Sequence, residues 1–298
     1  MLRRNGTQVD ALLLTVAVFW GSSYFFAKQL TQHASVPGML AIRFSVATVI
    51  MLVIWGFRRN RFTKADLIGG VITGVSLFVI MMIETTSISL TSATNAGLII
   101  SLTIILTPMF ESMWSRNWLP GKFFVAAGGS VIGVGLLVSA NGFVNPNFGD
   151  LIMIGAAILR AATTVAQGHI MKAETAGTYN VTIIQIALAA LLFSLVDPSG
   201  AVKAATTFEL AQWGDVLFLA VFCTVFGFVA LLWGIRKTSS SRASLLLSTE
   251  PVWAVIVPVV IGGELMGALG FAGAALIIAS CYWGLNIETK HRAKREIG

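Results

Sequence analysis

Residues 39–64 read MLAIRFSVATVIMLVIWGFRRNRFTK, and this stretch decides the fold class. From Met39 to Trp55 the chain is apolar except for Arg43 and two small hydroxyl residues. It then turns abruptly basic at Arg58, Arg59, Arg61 and Lys64. An apolar run near 20 residues matches the hydrocarbon thickness of a bilayer, and a basic flank marks its cytoplasmic end. The rest of the 298-residue chain repeats this pattern. It is 56% hydrophobic and 11% charged, with a mean hydropathy of +0.84. A soluble domain is about a quarter charged, so a water-facing enzyme, a secreted disulfide scaffold and a nucleic-acid binder are all excluded.

Ten spans follow from the apolar runs and the Gly, Pro, Asn and charged residues between them, near 11–29, 38–57, 65–87, 93–114, 120–139, 149–171, 179–196, 213–235, 242–262 and 265–286. The first is a retained helix and not a cleaved leader, because it is of span length and lacks a small-residue cleavage site. The distribution of charge tests the count. With the amino terminus inside, sixteen of the 20 basic residues are cytoplasmic: Arg3, Arg4, Arg58, Arg59, Arg61, Lys64, Arg116, Lys122, Lys172, Arg236, Lys237, Arg242, Lys290, Arg292, Lys294 and Arg295. Only Lys203 falls outside, and Lys28, Arg43 and Arg160 lie within spans. This asymmetry places both termini in the cytoplasm. It also accounts for the net charge of +7 through contact with anionic lipid, without a nucleic-acid partner.

The spans fall into two related halves, 1–145 and 146–298. Asp10-Ala-Leu-Leu-Leu is echoed by Asp150-Leu-Ile-Met-Ile, and Leu40-Ala-Ile-Arg43-Phe by Thr182-Ile-Ile-Gln185-Ile. Thr91-Ser-Ala-Thr-Asn-Ala-Gly-Leu-Ile-Ile-Ser101 is echoed by Thr238-Ser-Ser-Ser-Arg-Ala-Ser-Leu-Leu-Leu-Ser248. Five spans per half is odd, so the second copy enters the membrane inverted, as in many secondary transporters.

Trp20-Gly21-Ser22-Ser23-Tyr24-Phe25, with Lys28, Pro37 and Arg43-Phe44, resembles the opening of an EamA-type repeat. Ser241-Arg242-Ala243-Ser244, Glu250-Pro251, Gly263-Glu264 and the Gly270/Gly273 helix resemble the end of the second one. The chain is thus similar over nearly its whole length to the ten-helix branch of the drug/metabolite transporter superfamily, whose members include amino-acid and metabolite exporters. The resemblance implies a bacterial inner-membrane secondary transporter that exports small metabolites, amino acids foremost, by alternating access. The halves differ where Arg160-Ala161 replaces Trp20-Gly21 and where the first half lacks the Glu-Pro pair.

Charge at bilayer depth is costly and marks cavities or partners. Arg160 and Glu250 fall mid-span, and Trp20 is the repeat counterpart of Arg160. A free amino acid could place its carboxylate on Arg160 and its ammonium on Glu250, with Trp20, Tyr24 and Gln185 lining the pocket. The plain alternative is that Arg160 and Glu250 pair with each other, or with loop residues, as a structural bridge. Lys28, Arg43 and Glu84 count toward the outer span ends. There Lys28 would snorkel, and Arg43 with Glu84 would form an outer gate. Asn95 is a further polar liner. Pro108, Pro251 and Pro258 are hinge candidates because proline interrupts the helical ladder. Small residues in spans five and ten suit close packing within the chain or in a dimer. Trp55, Trp114, Trp118, Trp233, Tyr282 and Trp283 suit an interfacial belt.

Cys223 and Cys281 lie in apolar runs and the three histidines are scattered, so no metal site or cofactor is expected. No nucleotide or nucleophile motif occurs and no enzyme is expected. The expected partners are a small-molecule substrate and the lipid bilayer, with the chain a monomer or homodimer. The rival readings are an exporter of drugs or toxic cations, which would need Glu250 but not Arg160, and a passive channel.

Overall fold

The computed structural model describes residues 2–58, 61–90, 99–138, 148–172, 176–262 and 267–297, and within these the secondary structure is entirely helical. The helices are α1 (Leu2–Thr31), α2 (Val36–Arg58), α3 (Lys64–Leu90), α4 (Thr103–Ser115), α5 (Gly121–Val138) and α6 (Phe148–Lys172). They continue with α7 (Thr178–Val196), the short α8 (Pro198–Thr207), α9 (Leu210–Lys237), α10 (Ser240–Leu247), α11 (Glu250–Gly262) and α12 (Ala268–Ile297). Helices satisfy every backbone group within the segment, which hydrocarbon surroundings demand. Seven of the described helices are long and apolar enough to cross a membrane, and Gly121–Leu137 is a shorter apolar one. Asn95 and the Gly263-Glu264 link lie outside the described residues, as do the side chains of Tyr24, Lys28 and Pro258.

Exposed apolar side chains cover the outside of the bundle: Val49, Leu52 and Val53 on α2, Leu67 and Ile68 on α3, Leu191 and Leu195 on α7. In water such a surface would aggregate; in lipid it is matched to its solvent. Trp114, Trp118, Tyr282 and Trp283 are also exposed, as interfacial residues should be.

The most extensive packing joins helices before residue 145 to helices after it: α5 with α12, α2 and α3 with α7, α3 with α6, α1 with α11, α4 with α6, and α1 and α2 with α9. Small residues set the closest of these approaches. A side chain at Gly273 would meet the Gly133 carbonyl oxygen at 2.6 Å, and one at Gly133 would meet that of Gly273 at 2.9 Å. The glycine-rich faces of spans five and ten are therefore used against each other within the chain. Gly128 has open space around its missing side chain.

Two of the expected spans are not single helices. Ahead of α4 the chain makes a tightened turn at Ser101–Leu102, where Ile104 and Ile105 donate to carbonyls only three residues back (3.0 Å each). Between α10 and α11 a similar turn at Ser248–Thr249 has Val252 donating to Thr249 (3.0 Å). Ser101 and Ser248 are the residues matched by the internal repeat. Hydroxyls take up carbonyls at both turns, Thr103 onto Ile100 and Ser248 onto Leu245 (2.8 and 2.6 Å). Pro251 therefore interrupts nothing: it is the second residue of α11, where a missing N–H is harmless. Pro108 lies inside α4, whose helix continues through it.

Helix α9 contains an eight-residue π-helical segment, Leu219–Phe226. The Thr224 hydroxyl reinforces it by donating to the Leu219 carbonyl five residues back (2.9 Å). The widened turns carry Phe218, Phe222 and Phe226 around Phe19 of α1, with ring centroids 6.1, 5.0 and 5.6 Å away. Single π turns inside α-helices are frequent at functional sites.

Candidate functional site

Three helices bring charge together inside the bundle. Arg160, in the middle of α6, sets Nη1 3.2 Å from Glu84 Oε1 of α3 and Nη2 3.8 Å from Glu250 Oε2 of α11. All three side chains are largely withdrawn from solvent, at 28%, 16% and 13% exposure. The pairing of Arg160 with Glu250, anticipated as the structural alternative, is present. Glu84 joins it instead of Arg43, which corrects the expected outer ion pair. Counting along the chain underestimated the depth of Glu84, because α3 runs on to Leu90 and carries it inward of its end. Both terminal nitrogens of Arg160 face carboxylates, so the guanidinium orders two acids and the triad carries one net negative charge.

Trp20 and Gly21 fit the same region. Gly21 sits under the first turn of α11: a side chain there would meet the Glu250 carbonyl oxygen at 2.5 Å and Trp253 Cβ at 2.6 Å. Trp20 Nε1 donates to the Cys223 carbonyl in the π segment (2.8 Å), and its ring packs on Phe228. The indole thus seals a backbone acceptor as well as standing one residue from the Gly21–Glu250 contact. Cys223 Sγ donates to the Phe19 carbonyl (3.2 Å).

Arg43 is not at an outer rim. Its Nε donates to Thr224 Oγ1 (2.8 Å) at the middle of α9, and its guanidinium carbon lies 5.6 Å from the centroid of the buried Phe44 ring. Gln185, its repeat counterpart on α7, is 1% exposed, and its Oε1 has no hydrogen-bond partner among the described residues.

A second polar cluster, missed in the sequence, closes the end of the bundle where α1 begins and α12 ends. Arg242, counted there as a loop charge facing lipid headgroups, is a buried hub. It donates from Nε and Nη2 to the two oxygens of Asp10 (2.7 and 2.6 Å), and from Nη1 to Glu288 (2.5 Å) and Thr289 (2.9 Å). Glu111 of α4 accepts from the Ser240 and Ser241 amides (3.2 and 2.6 Å) and so caps α10 together with Ser239. Arg292 donates to the Thr238 carbonyl (2.8 Å). The signal was present: Asp10 opens the first repeat and Arg242 stands in the Ser-Arg-Ala-Ser motif, 232 residues apart. At the opposite corner Asp197 caps α8 by accepting from Gly200 (2.8 Å) and takes a hydrogen bond from Ser35. Those bonds, the Ser35 hydroxyl foremost and the Gly200 amide next, hold its carboxyl below the usual aspartate range.

The EamA-like transporter family matches this chain twice, over residues 8–139 and 147–285. The chain belongs to that family. The EamA-like relatives include a protein of Archaeoglobus fulgidus called an uncharacterized transporter, 26% identical over 277 residues, covering 90% of this chain and 83% of its own. The uncharacterized transporter YyaM of Bacillus subtilis is 24% identical over 278 residues, covering 90% of each chain. One solved crystal structure superposes with a TM-score of 0.82 over 95% of this chain and 98% of its own, at 17% identity, and so shares the fold. This EamA-like chain is accordingly a multi-pass membrane protein of the drug/metabolite transporter superfamily, and its kinship is with transporters.

Proposed function

We propose that the protein is a secondary transporter that exports small metabolites, amino acids foremost, across the bacterial inner membrane by alternating access. The observation that carries this is the Glu84–Arg160–Glu250 triad, a net-negative cluster at bilayer depth built from α3, α6 and α11. Such a group is expensive in hydrocarbon and has its use at a substrate or ion pathway. The substrate ammonium sits at the Glu84 and Glu250 carboxylates, with Arg160 between the two acids.

Ten spans result when the seven long helices are joined by Gly121–Leu137 and by the two interrupted spans that contain α4 and α10–α11. The halves 1–145 and 146–298 are inverted copies. In support, α1 packs on α11 as α4 packs on α6, and α1 on α9 as α3 on α6. The sixteen-to-one charge bias supports cytoplasmic termini. The turns at Ser101 and Ser248, each leading into a helix whose sequence holds proline (Pro108 in α4, Pro251 and Pro258 in α11), are the hinges on which the halves rock, and the Arg242 cluster closes the cytoplasmic side. Discontinuous helices at matched places in two repeats are a recurrent feature of transporter sites.

Uptake and counterflow in proteoliposomes, with and without a pH gradient, against a panel of amino acids and organic cations test the reading. Glu250→Gln and Arg160→Gln at matched protein level should each cut flux at least about tenfold, the loss expected for a charge-assisted contact. Near-normal counterflow in both would refute a role for the triad. A cation exporter would instead require Glu250 and tolerate the loss of Arg160.

A further inference from the structure

Among the described residues the arginines engaged in structural contacts use their terminal nitrogens. Arg242 spends Nη1 and Nη2 on Asp10, Glu288 and Thr289. Arg160 spends both on carboxylates, Arg236 donates Nη1 to the Ala176 carbonyl, and Arg292 donates Nη2 to that of Thr238. Arg43 differs. Its one hydrogen bond among the described residues is from Nε to Thr224, and no carboxylate of the described residues pairs with it. A guanidinium at this depth without a counter-charge is costly. Snorkelling does not relieve it, because Thr224 lies midway along the 28-residue α9 and Phe44 beneath the guanidinium is 1% exposed.

The tether also orients it. A hydrogen bond through Nε fixes the guanidinium plane and leaves the paired Nη edge, the edge that takes a carboxylate bidentately. Cys223, next to Thr224, accepts from Trp20 Nε1 (2.8 Å), and Gly21 beside Trp20 lies against the Glu250 carbonyl of the triad. One stretch of α9 thus connects, through α1, an unbalanced positive charge with a net-negative cluster.

We infer that Arg43 is the carboxylate-binding residue for a small zwitterionic substrate whose ammonium faces Glu84 and Glu250. This rests on the transport reading above and moves the anionic pole from Arg160, where the sequence placed it, to Arg43. Thr224 is a positioning residue that aims the guanidinium through its hydroxyl.

The test uses the full-length protein, with a panel of L-amino acids each matched by its decarboxylated amine and its methyl ester. Thermal stabilisation of the detergent-purified protein reads binding, and proteoliposome counterflow reads flux. The wild type should prefer the acid to its ester at least about tenfold, the usual discrimination of a charge-assisted bidentate contact. Arg43→Gln should bring that ratio toward one, Arg43→Lys should restore part of it, and Thr224→Val should lower it. The ratio is an internal control, since general damage to the fold lowers both members of a pair. Equal stabilisation of the wild type by acid, amine and ester would overturn the assignment. So would a ratio preserved within twofold in Arg43→Gln or, where that variant does not fold, in both Arg43→Lys and Thr224→Val. Acid-selective stabilisation that depends on Arg43, without flux of any panel member, would uphold the Arg43 site and count against transport of these compounds.

Discussion

Replacing Arg242 with glutamine removes the cation from the cluster that joins α1, α10 and α12. The side chain is 11% exposed and makes four hydrogen bonds, three of them to carboxylate oxygens. Glutamine can keep at most one of these, and it leaves Asp10 and Glu288 without their principal counter-charge. Breaking a buried pair by removing one partner costs about 3–5 kcal/mol, most of it from the stranded charge. Two features put the expected value at the lower end. Asp10 retains 21% exposure and so some hydration, and Arg292 Nε stands 3.6 Å from Glu288 as a substitute cation. The expected loss is about 3 kcal/mol, roughly a hundredfold shift in the unfolding equilibrium. Reversible denaturation in mixed micelles, followed by tryptophan fluorescence, measures it. Asp10→Asn and the double variant complete a thermodynamic cycle, in which the two losses should overlap by at least about 1 kcal/mol. A loss under about 1 kcal/mol, or strictly additive single effects, would refute the view of Arg242 as a buried hub and return it to the role of a surface charge.

Three further outcomes are expected. Gly273→Leu should destabilise the α5–α12 contact by about 1–3 kcal/mol, because the new side chain meets the Gly133 carbonyl; Gly128→Ala, made in open space, should be neutral or mildly stabilising in the same melting assay. Trp20→Phe keeps the ring but leaves the Cys223 carbonyl without its donor, at a cost of about 1–3 kcal/mol; unchanged melting would contradict that role. Asp197, held below the usual aspartate range, supports the α8 corner at pH above about 4 and loses that support as pH falls through its lowered value. Amide exchange around Gly200 should therefore be faster in Asp197→Asn than in the wild type at pH 7, with the difference vanishing in stronger acid.

The membrane class was readable at once, since an apolar run ending in Arg58 and Arg59 has few alternatives. Depth was readable only where a residue sits well inside its span. Arg160 and Glu250 were anticipated together for that reason, whereas Glu84 was assigned to the outside because counting did not reveal how far α3 extends. Arg43 shows a second limit. Its place on α2 was correct, but its long side chain reaches the middle of α9, and sequence position does not report where a guanidinium ends. The π segment left no periodic trace among uniformly apolar residues. Arg242 was legible as a motif residue and as a topological charge, but its partners Asp10 and Glu288 come from opposite ends of the chain, and a single sequence carries no sign of such a meeting.

The packing across the middle of the chain has a consequence for biogenesis. During synthesis the first 145 residues enter the bilayer while the surfaces meant to cover them do not yet exist. Arg43 waits for Thr224, Glu84 for Arg160, and Asp10 for an arginine 232 residues away. Contacts closed over such long loops form late. The first helices must therefore persist as separate lipid-solvated rods, with their polar groups temporarily unmatched, until translation of the remainder supplies the other side. The protein assembles as one late event, and a chain stopped halfway is an orphan for quality control to remove.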